Sequence, residues 1–321
     1  MSEDQGKIFN SIYRCNESGG CIYSFCCVQM RKGDRLKMLY SEYDSETLRK
    51  LQNIELEIFS DFATLCEKHG IDYFGVGGTA LGLARYGGFI PWDDDIDVVM
   101  TRENYDRFLE IAKTEMTEKY RVVNAETVEG FPLTTTRWTM RGTKFKEQCF
   151  KELDIDLGIF LDIFCWDNAA DNEFKMKCQA WTAWFWGKLL VLRNVRCPVI
   201  YYDGWKAKVI LAICALVHDI MRGLHISSKY LYRKAEKAAK KYKDADTKRA
   251  AYFFDPTPFT SVMYKEDFLP TEIREYNGIK VRFPKDLDRY LTIRYGKDYM
   301  TPPPENKRHN HPPYELQFPK V

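Results

Sequence analysis

Four carboxylates fall within five positions, Asp93, Asp94, Asp95 and Asp97, and the chain then runs directly into Val98-Val99-Met100. A short apolar run of this kind reads as a buried strand, and acids crowded at its entrance repel one another. Such crowding is unfavourable without a cation, which pushes the reading toward metal binding at the head of a strand. The two-residue period of a strand puts Asp95 and Asp97 on one face and Ile96 and Val98 on the other. Two carboxylates therefore point the same way.

The segments on either side carry their own periods. Ser45 to Gly70 holds Leu48, Leu51, Ile54, Ile58, Phe62 and Leu65 at intervals of three or four, with Ser45 placed to cap and Gly70 to terminate an amphipathic helix. Ile71 to Val76 is short, apolar and aromatic and ends in Gly77-Gly78-Thr79, after which Ala80 to Arg85 turns helical. That is a strand, a tight turn and a helix. Beyond the acidic loop the spacing predicts a helix from Arg102 to about Glu118 with Thr101 as its cap, then strands near Tyr120 to Asn124 and Thr135 to Arg141. Gly158 to Trp166 reads as a buried strand in which Asp162 is the one polar side chain, and a lone carboxylate there requires charge or hydrogen bonds to compensate it. Helices alternating with short strands indicate an α/β or α+β sheet, and the expectation is α+β: a mixed sheet flanked by helices.

Past Asp171 the composition shifts. Trp181, Trp184, Phe185, Trp186, Leu189 to Leu192 and Val209 to Val217 alternate with basic residues, and Lys229 to Arg249 holds nine Lys or Arg against three acids. The chain is thus expected to divide into an appended segment at 1–40, a catalytic core at 41–171, a helical insert at 172–249 and a part at 250–321 that completes the core and pocket, irregular from Phe283 onward. With 321 residues, 45% hydrophobic, the chain can bury a sizeable core, which excludes a disordered tail protein. Its 48 basic residues against 46 acidic ones give bulk electrostatics no part in nucleic-acid binding, and no such partner is expected.

The longest apolar run, Val209 to Val217, has nine residues where a bilayer span needs about 20. Met1 to Asn10 shows no basic-then-apolar signal pattern. The ten cysteines, Cys15, Cys21, Cys26, Cys27, Cys66, Cys149, Cys165, Cys178, Cys197 and Cys214, lack the spacing of a small secreted scaffold, so a reduced cytoplasmic setting is expected. The cluster from Cys15 to Cys27 contains no CxxC pair and reads as thiols in an irregular segment rather than a metal site.

The chemistry concentrates in Gly77-Gly78-Thr79, Asp95-Ile96-Asp97 and Asp162, each on or beside an expected strand. Alone, these are an ordinary turn, a solvated acidic loop and a structural acid. Together they are the parts that phosphoryl or nucleotidyl transfer needs. A glycine pair admits a phosphate close to the backbone, and convergent carboxylates bind a divalent metal that neutralises phosphate oxygens. Positioning and charge then carry most of the reaction.

The stretch Tyr73-Phe74-Gly75-Val76-Gly77-Gly78-Thr79-Ala80-Leu81-Gly82, continued by Gly88-Phe89-Ile90-Pro91-Trp92-Asp93-Asp94-Asp95-Ile96-Asp97, resembles the LicD family of phosphocholine transferases and, with it, the catalytic region of the fukutin-type phosphotransferases. The resemblance continues through Asp162-Ile163-Phe164 and into Tyr295 to Met300, Pro303-Pro304-Glu305 and Arg308 to His311, so it covers roughly residues 45 to 315. It implies a nucleotidyltransferase-like fold and transfer of a substituted phosphate, usually phosphocholine from CDP-choline or another CDP-linked alcohol, to a sugar hydroxyl of a surface glycan or its lipid-linked precursor. Carried over by motif, Asp95 and Asp97 would be paired ligands of Mg²⁺ or Mn²⁺ and Asp162 the third carboxylate, while Gly77, Gly78 and Thr79 would hold the donor phosphates. Arg85, on the helix leaving that turn, is the candidate to pair with a donor phosphate through its forked guanidinium. Trp92, Asp93, Asp94, Arg308 and His311 would complete the pocket, and His309 with His311 would close it from the tail. Two features depart from the family pattern: Tyr86 stands where many relatives have histidine, and 16 residues separate Gly78 from Asp95.

Two other functions fit parts of the pattern. A metal-dependent glycosyltransferase would use Asp95-Ile96-Asp97 as a DxD motif with a nucleotide-sugar, but it leaves Gly77-Gly78-Thr79 and Asp162 without roles. A noncatalytic glycan- or nucleotide-binding protein would have no reason to keep three carboxylates. The insert likewise has two readings. Trp181, Trp184, Trp186 and Trp205, with Lys206, Lys208 and the Lys229 to Arg249 segment, would suit peripheral contact with an anionic membrane carrying a lipid-linked acceptor. Otherwise they belong to a helical subdomain with tryptophans inside and lysines in water.

Overall fold

The computed structural model describes residues 44–198, 200, 202, 204–256, 259–305, 308 and 313–320. The segment expected at 1–40, with its four cysteines, lies outside the described residues.

The first helix, α1, spans Ser45–Lys68. Its cap is Asp44, one residue earlier than the pattern suggested, because the Asp44 carboxylate accepts from both the backbone N–H and the hydroxyl of Thr47, at 2.9 and 2.6 Å. Gly70 follows the helix with a φ of +58°. The buried stripe of α1 includes Leu51, Ile58, Phe59, Phe62 and Leu65. Phe62 reaches the ring of Tyr73 at 4.9 Å and that of Phe108 at 5.2 Å. Each such side chain removed from water contributes roughly 1.5–3 kcal/mol, which holds α1 across the sheet.

The sheet runs in the order β1-β2-β6-β4-β3, from Phe74–Gly75, Asp97–Thr101, Phe160–Ala169, Thr136–Met140 and Tyr120–Val123. β2 and β6 are parallel, while β1–β2, β6–β4 and β4–β3 are antiparallel. The far end of β6 pairs with β7 (Arg249–Ala251), which in turn pairs with β8 (Met263–Tyr264). A mixed sheet with flanking helices is an α+β fold. β6 is its centre, buried at every position except Asn168. It therefore reads from sequence as a continuous apolar run rather than an alternation.

The other helices are α2 (Gly77–Tyr86), α3 (Arg102–Ile111), α4 (Glu173–Asn194), α5 (Gly204–Gly223), α6 (Ser228–Ala239) and α7 (Leu287–Tyr295). α4 to α6 lie between β6 and β7 in the chain. α3 ends at Ile111 rather than near Glu118, since only Met116 among the next seven residues after Ala112 offers an apolar side chain to pack. β1 has two residues instead of six, pairing Phe74 with Val99 and Gly75 with Val98 at the sheet's edge. The part expected to be irregular, from Phe283 onward, carries α7 and a short strand near its end. β9 (Thr271–Tyr276) and β10 (Ile279–Pro284) form a hairpin about Asn277-Gly278, both with positive φ, and α7 follows with Asp286 accepting from the Arg289 N–H at 3.0 Å. β11 (Glu315–Gln317) pairs with β5 (Lys144–Lys146).

One buried ionic cluster ties α3, β6 and α6 together. The Arg102 guanidinium donates to both oxygens of Asp167 at 2.8 Å and to Glu236 at 2.9 Å. Arg102 and Asp167 are both buried. Removing one member strands the others without a counter-charge. Arg102→Met is therefore expected to lower stability by about 3–5 kcal/mol, measured as a shift in the urea midpoint at constant m-value.

Candidate active site

The acidic site is assembled where β2 and β6 begin. Their parallel register sets Asp97 beside Asp162, and the Asp162 N–H donates to the Ile96 carbonyl at 3.1 Å. Asp97 is the first residue of β2, so Asp95 lies in the extended lead-in rather than within the strand. Ile96 is fully buried, and Asp97 and Asp162 are buried with it. The loop ahead of them is anchored by α1, where the Gln52 amide donates to the Asp93 carbonyl at 2.8 Å.

The glycine turn meets this site directly. Val76 N–H donates to Asp97 carbonyl at 3.1 Å, and the Thr79 hydroxyl accepts the Asp97 N–H at 2.9 Å. Gly77 has a φ of +59°, and a Cβ there would stand 3.0 Å from Asp97 Oδ2. Backbone and carboxylate meet too closely for any side chain. α2 starts at Gly77, and Val76 provides no side-chain cap. Its first turn therefore presents the positive end of a helix beside the carboxylates, the local chemistry of a phosphate cradle.

The carboxylates form two groups that share a member. Asp93, Asp94 and Asp95 each offer an oxygen within 4.8 Å of the others. Asp95 also acts on both Asp97 and Asp162, raising their affinity for protons. Burial, then Asp95 and Asp162, push the Asp97 carboxyl well above the usual range, with Arg137 opposing. Burial does the same at Asp93, reinforced by Asp95 and Asp94. Asp162 is pushed up to about 6, mainly by burial and against the pull of Arg137.

Three further residues belong to the site. Arg137 on β4 is buried, donates from Nε to Asp162 Oδ1 at 3.2 Å, bonds to Glu147 and stacks 3.7 Å above the Phe160 ring. It supplies the counter-charge that the acid in β6 required. Glu55 on α1 is buried beneath the acidic loop, and its carboxyl is pushed well up by burial and then by Asp94, Asp95, Asp93 and Asp97. Tyr276, from the hairpin, feels Asp93, Glu55, Asp95 and Asp97 in the same way. Glu55 had a legible signal, being an acid four residues after Leu51 and three before Ile58 on an apolar stripe. Tyr276 had none. Its approach depends on Gly88, since Asn277 Oδ1 accepts the Phe89 N–H at 2.7 Å from a position only 1.8 Å from where a Gly88 Cβ would lie.

Arg85 stands on α2, as expected. Its guanidinium bonds to the Tyr299 carbonyl and, at 3.1 Å, to that of Thr301. It ties α2 to the tail, and a role against a donor phosphate would require those bonds to break. Arg308 reaches the site's rim, with its guanidinium 4.8 Å from the Trp92 ring, which itself meets Tyr86 edge-on at 6.2 Å. His309 and His311 lie outside the described residues. A groove of about 1180 Å³ between α3, β3 and α6 includes none of these site residues in its lining.

The donor set fits a hard divalent cation. Asp97 Oδ1 is buried and accepts no hydrogen bond, an orphaned anionic oxygen among other carboxylates. An all-oxygen set of this kind suits Mg²⁺ or Mn²⁺. Residues 70–185, which hold Gly77 through Asp162, match the family model of the LicD/FKTN/FKRP nucleotidyltransferase domain. The chain carries a LicD-family nucleotidyltransferase domain. Over 275 residues, 83% of this chain and 96% of the other, the chain is 28% identical to the lipopolysaccharide cholinephosphotransferase LicD of Haemophilus influenzae.

The raised carboxyls of this LicD domain have a consequence for stability. Asp162 binds its proton more tightly folded, at about 6, than at its ordinary value of 3.8. Stability without divalent cation is therefore greatest below about pH 4 as far as this group is concerned, and it falls as pH rises through about 6. Asp162→Asn is expected to flatten that fall, measured by urea unfolding from pH 4 to 7.5 in chelator. Mg²⁺ or Mn²⁺ at a hundredfold excess over its Kd is expected to restore about 2–3 kcal/mol at pH 7.5, and Asp97→Asn to abolish the gain.

Proposed function

We propose that this protein is a metal-dependent phosphotransferase. In this reading it moves a substituted phosphate, most simply phosphocholine from CDP-choline, onto a sugar hydroxyl of a cell-surface glycan or its lipid-linked precursor, releasing CMP. The observation that carries the reading is the β2–β6 register, which sets Asp97 and Asp162 side by side next to the Gly77 turn, within a LicD-family domain. The Haemophilus influenzae relative, a lipopolysaccharide cholinephosphotransferase, supports the same class of group and acceptor.

Asp95 and Asp97 would hold Mg²⁺ or Mn²⁺, which supplies neutralisation of the diphosphate oxygens. The first turn of α2, at Gly77, Gly78 and Thr79, receives the donor phosphates through its N–H groups. Asp162 takes the proton from the acceptor hydroxyl. The hydroxyl oxygen forms its bond to the distal phosphorus as the bond from that phosphorus to the CMP oxygen breaks. A carboxyl near 6 suits this work, because it is largely ionised at neutral pH yet basic enough to accept a proton. Arg137 keeps it ionised and aimed.

The decisive assay is release of nucleotide from CDP-choline, CDP-ethanolamine, CDP-ribitol, UDP-sugars and CTP with an acceptor glycan and Mg²⁺ or Mn²⁺. One CDP-alcohol is expected to yield CMP, and Asp97→Asn to reduce turnover more than about hundredfold, since even outer-shell changes at metal sites cost 10–100-fold. UDP release would instead favour a glycosyltransferase, and no release from any donor would shift the reading to a binding role. The pH profile tests Asp162 separately. Arg137 opposes its protonation, so Arg137→Met is expected to move the acid limb of kcat/KM to higher pH, while a limb that stays put would remove Asp162 as the base.

A further inference from the structure

α5 is an apolar helix lying with its apolar side outward. Of its 20 residues only His218 and Met221 are buried. Trp205, Val209, Ile213, Leu216 and Ile220, with Leu224 just beyond, recur every three or four positions, and their exposure runs from 48% at Val209 to 72% at Trp205. At 100° per residue they fall on one face, a continuous stripe that extends about 22 Å from Trp205 to Ile220. Exposed apolar surface in a continuous row marks an interaction site.

The charge around the stripe identifies its occupant. Lys206 lies at one margin, while Lys208 and Arg222 lie toward the other, all exposed. Asp219, the one acid on α5, is paired by Arg196 through bonds of 3.1 and 2.8 Å. Residues 173–239, which carry α4 to α6, hold twelve Lys or Arg against four acids, net +8, while the remaining chain holds 36 against 42, net −6. A second copy seated on the same face would bring two such positive units together. An anionic surface would be drawn to one.

Of the four tryptophans expected at an interface, Trp181 and Trp205 are exposed. Trp184 instead donates to the Asp255 carbonyl at 3.0 Å, and Trp186 packs against the core. No single helix among the described residues is long and apolar enough to cross a membrane, and α5 carries four charged residues. It has the pattern of a helix lying in the plane of a bilayer interface, its apolar row in the acyl boundary and its lysines reaching back to headgroups.

We propose that α5 docks this protein on an anionic lipid bilayer, independently of the phosphotransfer reading. The full chain, without substrate, is sedimented with vesicles of phosphatidylcholine alone or containing 30% phosphatidylglycerol. It is expected to partition at least about tenfold better onto the anionic vesicles, with the difference shrinking at high salt. Ile213→Glu with Leu216→Glu, both at exposed positions, is expected to reduce partitioning at least about tenfold with an unchanged thermal melt. Lys206→Glu with Lys208→Glu is expected to weaken binding to the anionic vesicles alone. Equal partitioning of wild type and the double glutamate variant would overturn the proposal. So would a dimer, seen by light scattering without lipid, that the same variant dissociates.

Discussion

The parallel pairing of β2 with β6 places two carboxylates in neighbouring strands, and the surroundings answer the repulsion that follows. Two unit charges about 4.8 Å apart repel by roughly 3 kcal/mol at an effective dielectric of 20, before burial is counted. Arg137 answers from β4, the strand on the other side of β6. The rest of the charge is left to protons or to a metal, which is why burial and mutual repulsion raise Asp93, Asp97 and Asp162 together. Neighbours on the acidic side add to the problem rather than relieve it, since Glu55 is also buried against the loop. Five aspartates with Glu55 buried beside them thus leave a charge that protons or a bound cation must balance.

The sequence made this much legible because its signals were local. The apolar run from Gly158 to Trp166 with one acid in it, the glycine pair at the start of α2, and the acids leading into the apolar run of β2 each depend on residues within a few positions of one another. The counter-charge depends on sheet order. Arg137 sits in a strand whose sequence, Thr136-Arg137-Trp138-Thr139-Met140, says nothing about facing Asp162 until β4 is known to pair with β6. Tyr276 and Asn277 reach the loop from nearly two hundred residues away, through the bare backbone at Gly88.

The misplaced boundaries have equally specific causes. Asp44 outcompeted Ser45 as a cap because its carboxylate meets two donors of Thr47. β1 is an edge strand that pairs with β2 only at Phe74 and Gly75. The chain from Phe283 onward was read as irregular from its prolines and tyrosines, yet Asp286 is a cap in front of Leu287, Tyr290 and Leu291, the buried row of α7. Arg85 lies on the helix leaving the glycine turn, where the pattern placed it, and there it bonds to the backbone carbonyls of Tyr299 and Thr301.

A net charge of +2 conceals a molecule divided in two. The helical segment from α4 to α6 is strongly basic and the remainder acidic, so the whole-chain average removes the two facts that matter most for recognition. Negative charge is gathered at the strand heads, around Asp97 and Asp162. Positive charge gathered on the helices borders a row of bare apolar side chains. The two needs are compatible because they are spatially separate, and because α3, β6 and α6 are pinned by Arg102, Asp167 and Glu236, which join the basic helices to the acidic sheet through a buried pair rather than a hinge. A surface held by α5 would thus be held in a fixed relation to β6, the strand that carries Asp162.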